Sequence, residues 1–140
     1  MRVVCKVRNV FEINELHALT HVSKYINKTD GETDLEVGDI YTVYGVEFRD
    51  NHPWYYVCVD EDCEYPKPYS SDFFEVVDNR LSRFWFLSSA VGCGGEFYTS
   101  LVIEEWAKDR MFYERLIDGD SEIVEVFKVS KSLMEAEYEF

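Results

Sequence analysis

At 140 residues with a formal net charge of −14, and with ten Tyr, ten Phe and three Trp, the chain can bury one sizeable core and is too aromatic for a disordered acidic tail. The acid excess disfavours a nucleic-acid binder, whose phosphates it would repel. No stretch approaches the length of a membrane span, and "MRVVCKVRNV" lacks the apolar run and cleavage site of a signal peptide, so a cytoplasmic protein with four reduced cysteines is expected.

"MRVVCKVR" alternates Val3, Cys5 and Val7 against Arg2, Val4, Lys6 and Arg8, the period of a half-buried strand. Between Glu15 and Tyr25, Leu16, Leu19, Val22 and Ile26 recur at helical spacing without a strong cap, which predicts a short helix or an ordered loop. "TDGETD" is a turn. After it, "LEVGDIYTVYGVEF" and "WYYVCV" are strand-like and flank turn chemistry at Asp50, Asn51 and Pro53, so they are expected to form a hairpin. Both sides of "WYYVCV" are apolar, which places one in the core and the other beneath a helix or a partner.

"DEDCEYPKPYSSD" reads as a connecting loop, because Pro66 and Pro68 each lack a ladder donor. "FFEVVD" and "RLSRFWFL" read as two further strands around an Asp78-Asn79 turn, a succession that suits a small, strongly bent barrel. "SSAVGCGGE" marks a flexible boundary and "FYTSLVI" a last strand. Trp106, Ala107, Arg110, Met111, Tyr113 or Glu114, and Ile117 then predict a helix stopped at Gly119. Asp120 or Ser121 caps a final helix with an apolar stripe of Ile123, Val126, Phe127, Leu133, Met134 and Tyr138. The expected architecture is α+β in a single domain over 1–140. Residues 1–88 form the barrel core, and 89–140 hold the glycine segment, a possible strand and the C-terminal helices.

Motifs for chemistry are sparse. Cys58 and Cys63 stand five apart, which is not the spacing of a zinc knuckle, and have no supporting second pair. His17 and His21 share a helical face, but "ALT" between them lacks the glutamate of the zinc-protease pattern, so both read as surface histidines. Cys93 in "GCGG" has a nucleophile's glycine setting but no identifiable base. The acid pairs Glu104-Glu105 and Asp118-Asp120 and the tail "EAEYEF" read as a solvated anionic face rather than an acid-base site. No phosphate loop or dinucleotide fingerprint is present. No catalytic residue, cofactor or metal is therefore expected. Of the aromatic set Tyr41, Tyr44, Trp54, Tyr55 and Tyr56, two or three members are expected at the surface, where they could line a peptide groove.

Charge is unevenly spread. Residues 1–28 hold five bases and two acids, the remainder nine bases and 26 acids, so a face built from the later residues is strongly anionic and attracts basic partners.

The segments "GDIYTVYGVEF", "HPWYYVCVD", "SSDFFEVVDNRLSRFW" and "FYERLIDGD" with the acidic C-terminus resemble a recurrent set of small bacterial proteins. These have an SH3-like barrel followed by helices, and they include immunity proteins of toxin–immunity systems of the contact-dependent inhibition type. The resemblance runs from Leu35 onward and includes the first strand. It implies an SH3-like fold and a non-enzymatic protein, a monomer or weak dimer, that neutralises a basic, nuclease-type toxin by direct binding. On that reading Asp60, Glu61, Asp62, Glu64, Asp118, Asp120 and Glu122 form the partner-binding face. Trp54, Tyr55 and Trp106 are candidate anchors where their side chains are exposed, since binding energy concentrates on Trp and Tyr. The competing expectations are a peptide-interaction module of unrelated role and an enzyme using Cys93.

Overall fold

The computed structural model describes residues 1–25, 31–91, 94–95 and 97–138. Strand β1 (Arg2–Cys5) buries Val3 and Cys5 while Arg2 and Val4 stay half-exposed, the alternation expected of it. It is the central strand of a three-stranded antiparallel sheet, between β2 (Ile40–Thr42) and β6 (Phe74–Asp78). Helix α1 (Leu16–Ser23) starts where the Glu15 carboxylate accepts the Ala18 N–H at 2.6 Å, a cap the sequence reading missed. Its inward side chains are Ala18, His21 and Val22, and Leu16 is exposed.

The second sheet is antiparallel and five-stranded, in the order β5-β4-β3-β8-β7. Strands β3 (Gly45–Arg49) and β4 (His52–Val57) form the expected hairpin. Asp50 and Asn51 turn it with φ of 51° and 63°, the paired left-handed conformation that matches strand twist in a two-residue loop. Strand β5 (Lys67–Ser70) corrects the reading of "YPKPYS" as loop: Pro68 pairs opposite Tyr56, but on the outermost strand, where a missing N–H costs no ladder bond. Strands β7 (Trp85–Val91) and β8 (Phe97–Ile103) pair with each other, and β8 also pairs with β3. The strand thus runs on through residue 88, and the helices begin only at Glu104.

The class is α+β as expected, but no closed barrel forms among the described residues. Strand β6 turns back onto β1 instead of pairing with β7, so the sheets stay separate and β5 and β7 remain edges. The helix expected over 106–117 is two: α2 (Glu104–Lys108) and α3 (Phe112–Ile117). The break is at Asp109, whose Oδ1 accepts the Met111 N–H at 2.9 Å, a side-chain turn that competes with helix continuation. Gly119, at φ 78°, ends α3, and Asp120 caps α4 (Ser121–Ala136), as the sequence predicts.

One core lies around the small sheet, with Val3, Val22, Leu35, Tyr41, Tyr55, Val57 and Phe73. A second joins the helices to the large sheet through Tyr44, Ile103, Phe112, Leu116, Ile123, Phe127 and Met134. Of the predicted α4 stripe, Ile123, Phe127 and Met134 are buried and Leu133 is exposed. No helix of the described residues is long and apolar enough to cross a membrane.

Candidate functional site

Strand β4 delivers the chain into the acidic loop. Cys58 and Cys63 pair as a disulfide with Cα atoms 5.9 Å apart, so two of the four cysteines expected as thiols are joined. A turn in which the Cys63 N–H donates to the Asp60 carbonyl at 3.2 Å leaves Asp60, Glu61, Asp62 and Glu64 exposed. Across a cavity of about 440 Å³, Glu61, Asp62 and Glu64 face Glu125, Lys128 and Lys131 of α4. Lys131 is neutralised by Glu135 at 2.6 Å, so acid dominates this surface. Two acid-rich stretches some sixty positions apart in sequence are thereby brought together. Glu122 and Asp118 lie exposed near the start of α4. Asp120 is otherwise engaged: besides capping α4 it binds Arg115 at 3.0 Å, and this pair holds its carboxyl below the ordinary aspartate range.

The aromatic residues are placed differently from expectation. Tyr41, Tyr44, Trp54, Tyr55 and Tyr56 are all buried, each between 2% and 8% exposed, so none is a surface ring. This takes Trp54 and Tyr55 out of the anchor set. The physical cause is that β4 is covered on both sides. Tyr55 faces the first core, while Trp54 and Tyr56 lie on the other face, under α1 and under α2 and α3.

Trp106 is half-exposed and borders a groove of about 620 Å³ over the sheet face that carries Tyr56. Cross-strand pairing puts Glu47, Tyr56, Ser88 and Ser100 on its floor, and α2 and α3 bring Trp106 and Tyr113 as a wall. The rings form one stack: Trp106 and Tyr113 are parallel at 5.5 Å, and Tyr56 meets Trp106 edge-on at 4.8 Å. Burial, then the neighbouring Glu47 carboxylate, pushes the Tyr56 phenol well above its ordinary value, so it remains a protonated donor to Glu47 Oε2 at 2.9 Å.

At the other end of the same face, a histidine pair escaped the sequence reading. His17 is exposed as expected, but His21 is buried and accepts the Trp54 indole N–H on Nε2 at 2.8 Å. Its ring lies 4.2 Å from that of His52, which is held by Asp72 at 2.6 Å, and Asp72 also accepts the Ser70 hydroxyl at 2.7 Å. Asp72 thus takes both bonds, and no serine–histidine relay exists here. The signal that could have found this pair was "HPW", a histidine two residues before the tryptophan that His21 accepts from.

An acceptor on Nε2 requires neutral His21, and burial followed by the charge of His52 lowers its proton affinity. Asp50, Asp72 and Lys24 also face it, the acids opposing that shift and Lys24 adding to it. The folded chain therefore binds this proton less readily than the unfolded one, so stability falls as the pH drops below the ordinary histidine value of 6.5 towards the lowered value. Urea midpoints at pH 7.5 and 5.0 check this: His21→Gln, which keeps an acceptor for Trp54, should lose part of the difference. An unchanged difference would remove His21 as its source.

Cys93, the candidate nucleophile, lies outside the described residues. Among the described residues, no three His, Cys, Asp or Glu side chains are grouped to hold a metal ion. Compared with known proteins, the chain matches no protein family, no curated protein and no solved structure.

Proposed function

We propose that this chain is a non-catalytic binding protein that captures a basic protein, in the manner of an immunity protein occupying the cationic cleft of a nuclease-type toxin. The observation that carries the reading is the convergence of Glu61, Asp62 and Glu64 with Glu125 across one cavity. A surface of this sign occupies the place of a phosphate backbone in a basic cleft and steers the encounter from a distance. The disulfide fixes both ends of the turn that presents the loop acids, which limits the ordering cost on binding.

The test is kinetic. With the captured partner, the Glu61→Gln, Asp62→Asn, Glu64→Gln variant should associate roughly tenfold more slowly at low salt and show a shallower salt dependence, with dissociation little changed. Stopped-flow mixing measures both. Equal association rates and salt slopes for the two proteins would remove this surface from the interface.

A further inference from the structure

We infer that the groove beside Trp106 is a binding site for an arginine side chain carried by a protein partner. It goes beyond the acidic surface argued above and does not depend on it, because the lining and the test are separate.

Glu47 on the floor is the decisive residue. Its Oε2 is saturated, accepting from Arg49 Nε at 3.2 Å, Arg49 Nη2 at 3.1 Å and the Tyr56 hydroxyl at 2.9 Å. Its Oε1 has no hydrogen bond among the described residues and is not sealed from solvent, although the side chain is only 17% exposed. The Arg49 ion pair at 3.1 Å already offsets the carboxylate's charge, but an oxygen of it that has lost most of its water and has no donor still accepts a charge-assisted hydrogen bond.

The wall selects the shape of that donor. A flat guanidinium can bond the carboxylate while its plane packs beside the Trp106–Tyr113 stack, in which Trp106 also lies on Phe112 at 5.5 Å, whereas an ammonium supplies only a hydrated point charge. The chain already builds this arrangement next door: the Arg49 guanidinium binds Glu47 while lying 4.5 Å over the Trp54 ring. The Trp106 indole N–H likewise has no partner among the described residues and is not sealed, so it is free to donate to the carbonyl of the incoming residue's backbone. Of the lining residues of α3 and its approach, Asp109 is paired with Arg115 at 3.0 Å and Glu114 offsets Arg110, so it is the net charge of −14 that favours a cationic arrival.

The probe is N-acetyl-arginine amide, followed through the indole N–H signal of Trp106 in nitrogen-edited NMR, assigned by its loss in Trp106→Phe. The signal should shift and saturate in the millimolar range, on the order of 1–10 mM, as suits one side chain. The lysine amide should bind at least several-fold more weakly and the leucine amide should leave the signal in place. Glu47→Gln, which keeps an oxygen for Arg49 and Tyr56, should weaken arginine binding roughly tenfold. If that variant fails to fold, Ser100→Val, opposite Glu47 on the floor, should weaken the same titration by narrowing the groove. A Trp106 signal that does not move, that moves equally with leucine amide, or that responds unchanged in the folded variant overturns the proposal.

Discussion

Trp54→Ala should lower the unfolding free energy by about 3–5 kcal/mol, the usual cost of truncating a large core aromatic. Trp54 is 2% exposed, its N–H is bonded to His21 at 2.8 Å, and Tyr25 meets its ring edge-on at 5.2 Å. The truncation opens a cavity, unties α1 and removes the nearer of the two rings against the Arg49 guanidinium, leaving Tyr25 at 5.1 Å. Urea denaturation, with coincidence of circular dichroism and fluorescence as the two-state check, measures the loss. A loss below about 1 kcal/mol would show that Trp54 is not a core residue. Any binding defect of this variant therefore reports folding before it reports recognition. Trp106 is half-exposed, so on the proposed reading it is the tryptophan whose replacement tests recognition.

Phe127→Ala should cost a similar ~3–5 kcal/mol, with a second consequence for the surface. Phe127 is 1% exposed, lies edge-on to Tyr44 at 5.8 Å, and fastens α4 to the large sheet beside Phe112 and Leu116. The same residue borders the cavity between α4 and the acidic loop. Loosening it frees Glu125 from its position opposite Glu61 and Asp62. Hydrogen exchange should show faster exchange in α4 than in β3 and β4. Uniform acceleration across the chain would mean that the helices and the large sheet unfold as one unit.

The elements legible in the sequence were those written in local chemistry. The β3–β4 hairpin is declared by Asp50-Asn51, β1 by its alternation, and the end of α3 and start of α4 by Gly119 and Asp120. What escaped the sequence reading depends on pairings distant along the chain. Whether β6 meets β7 and closes a barrel, or returns to β1, is decided by cores assembled from both halves, and no local residue records it. The same holds for β4. "WYYVCV" announces two apolar faces, and only the docking of α1, α2 and α3 shows that the Trp54, Tyr55 and Tyr56 rings are covered within the chain.

Of the candidate site, the acids were visible as composition, but the opposition of Glu61, Asp62 and Glu64 to Glu125 was not. Trp106 was picked for its residue type. Glu47, the half-covered carboxylate beside it, looked like any outward residue of a strand until its two oxygens were seen to be so unequally bonded.

Capture on the tagged chain from the source organism's lysate, in low and in moderate salt, followed by nuclease assay of what is retained, decides whether a dedicated basic partner exists. The predicted result is one basic protein held in equal proportion at moderate salt, with a nuclease activity that the chain suppresses and that the Glu61, Asp62, Glu64 variant suppresses more slowly. Retention of nothing specific, or of scattered basic proteins that wash away as salt rises, would contradict it and reduce the acidic surface to a device for solubility.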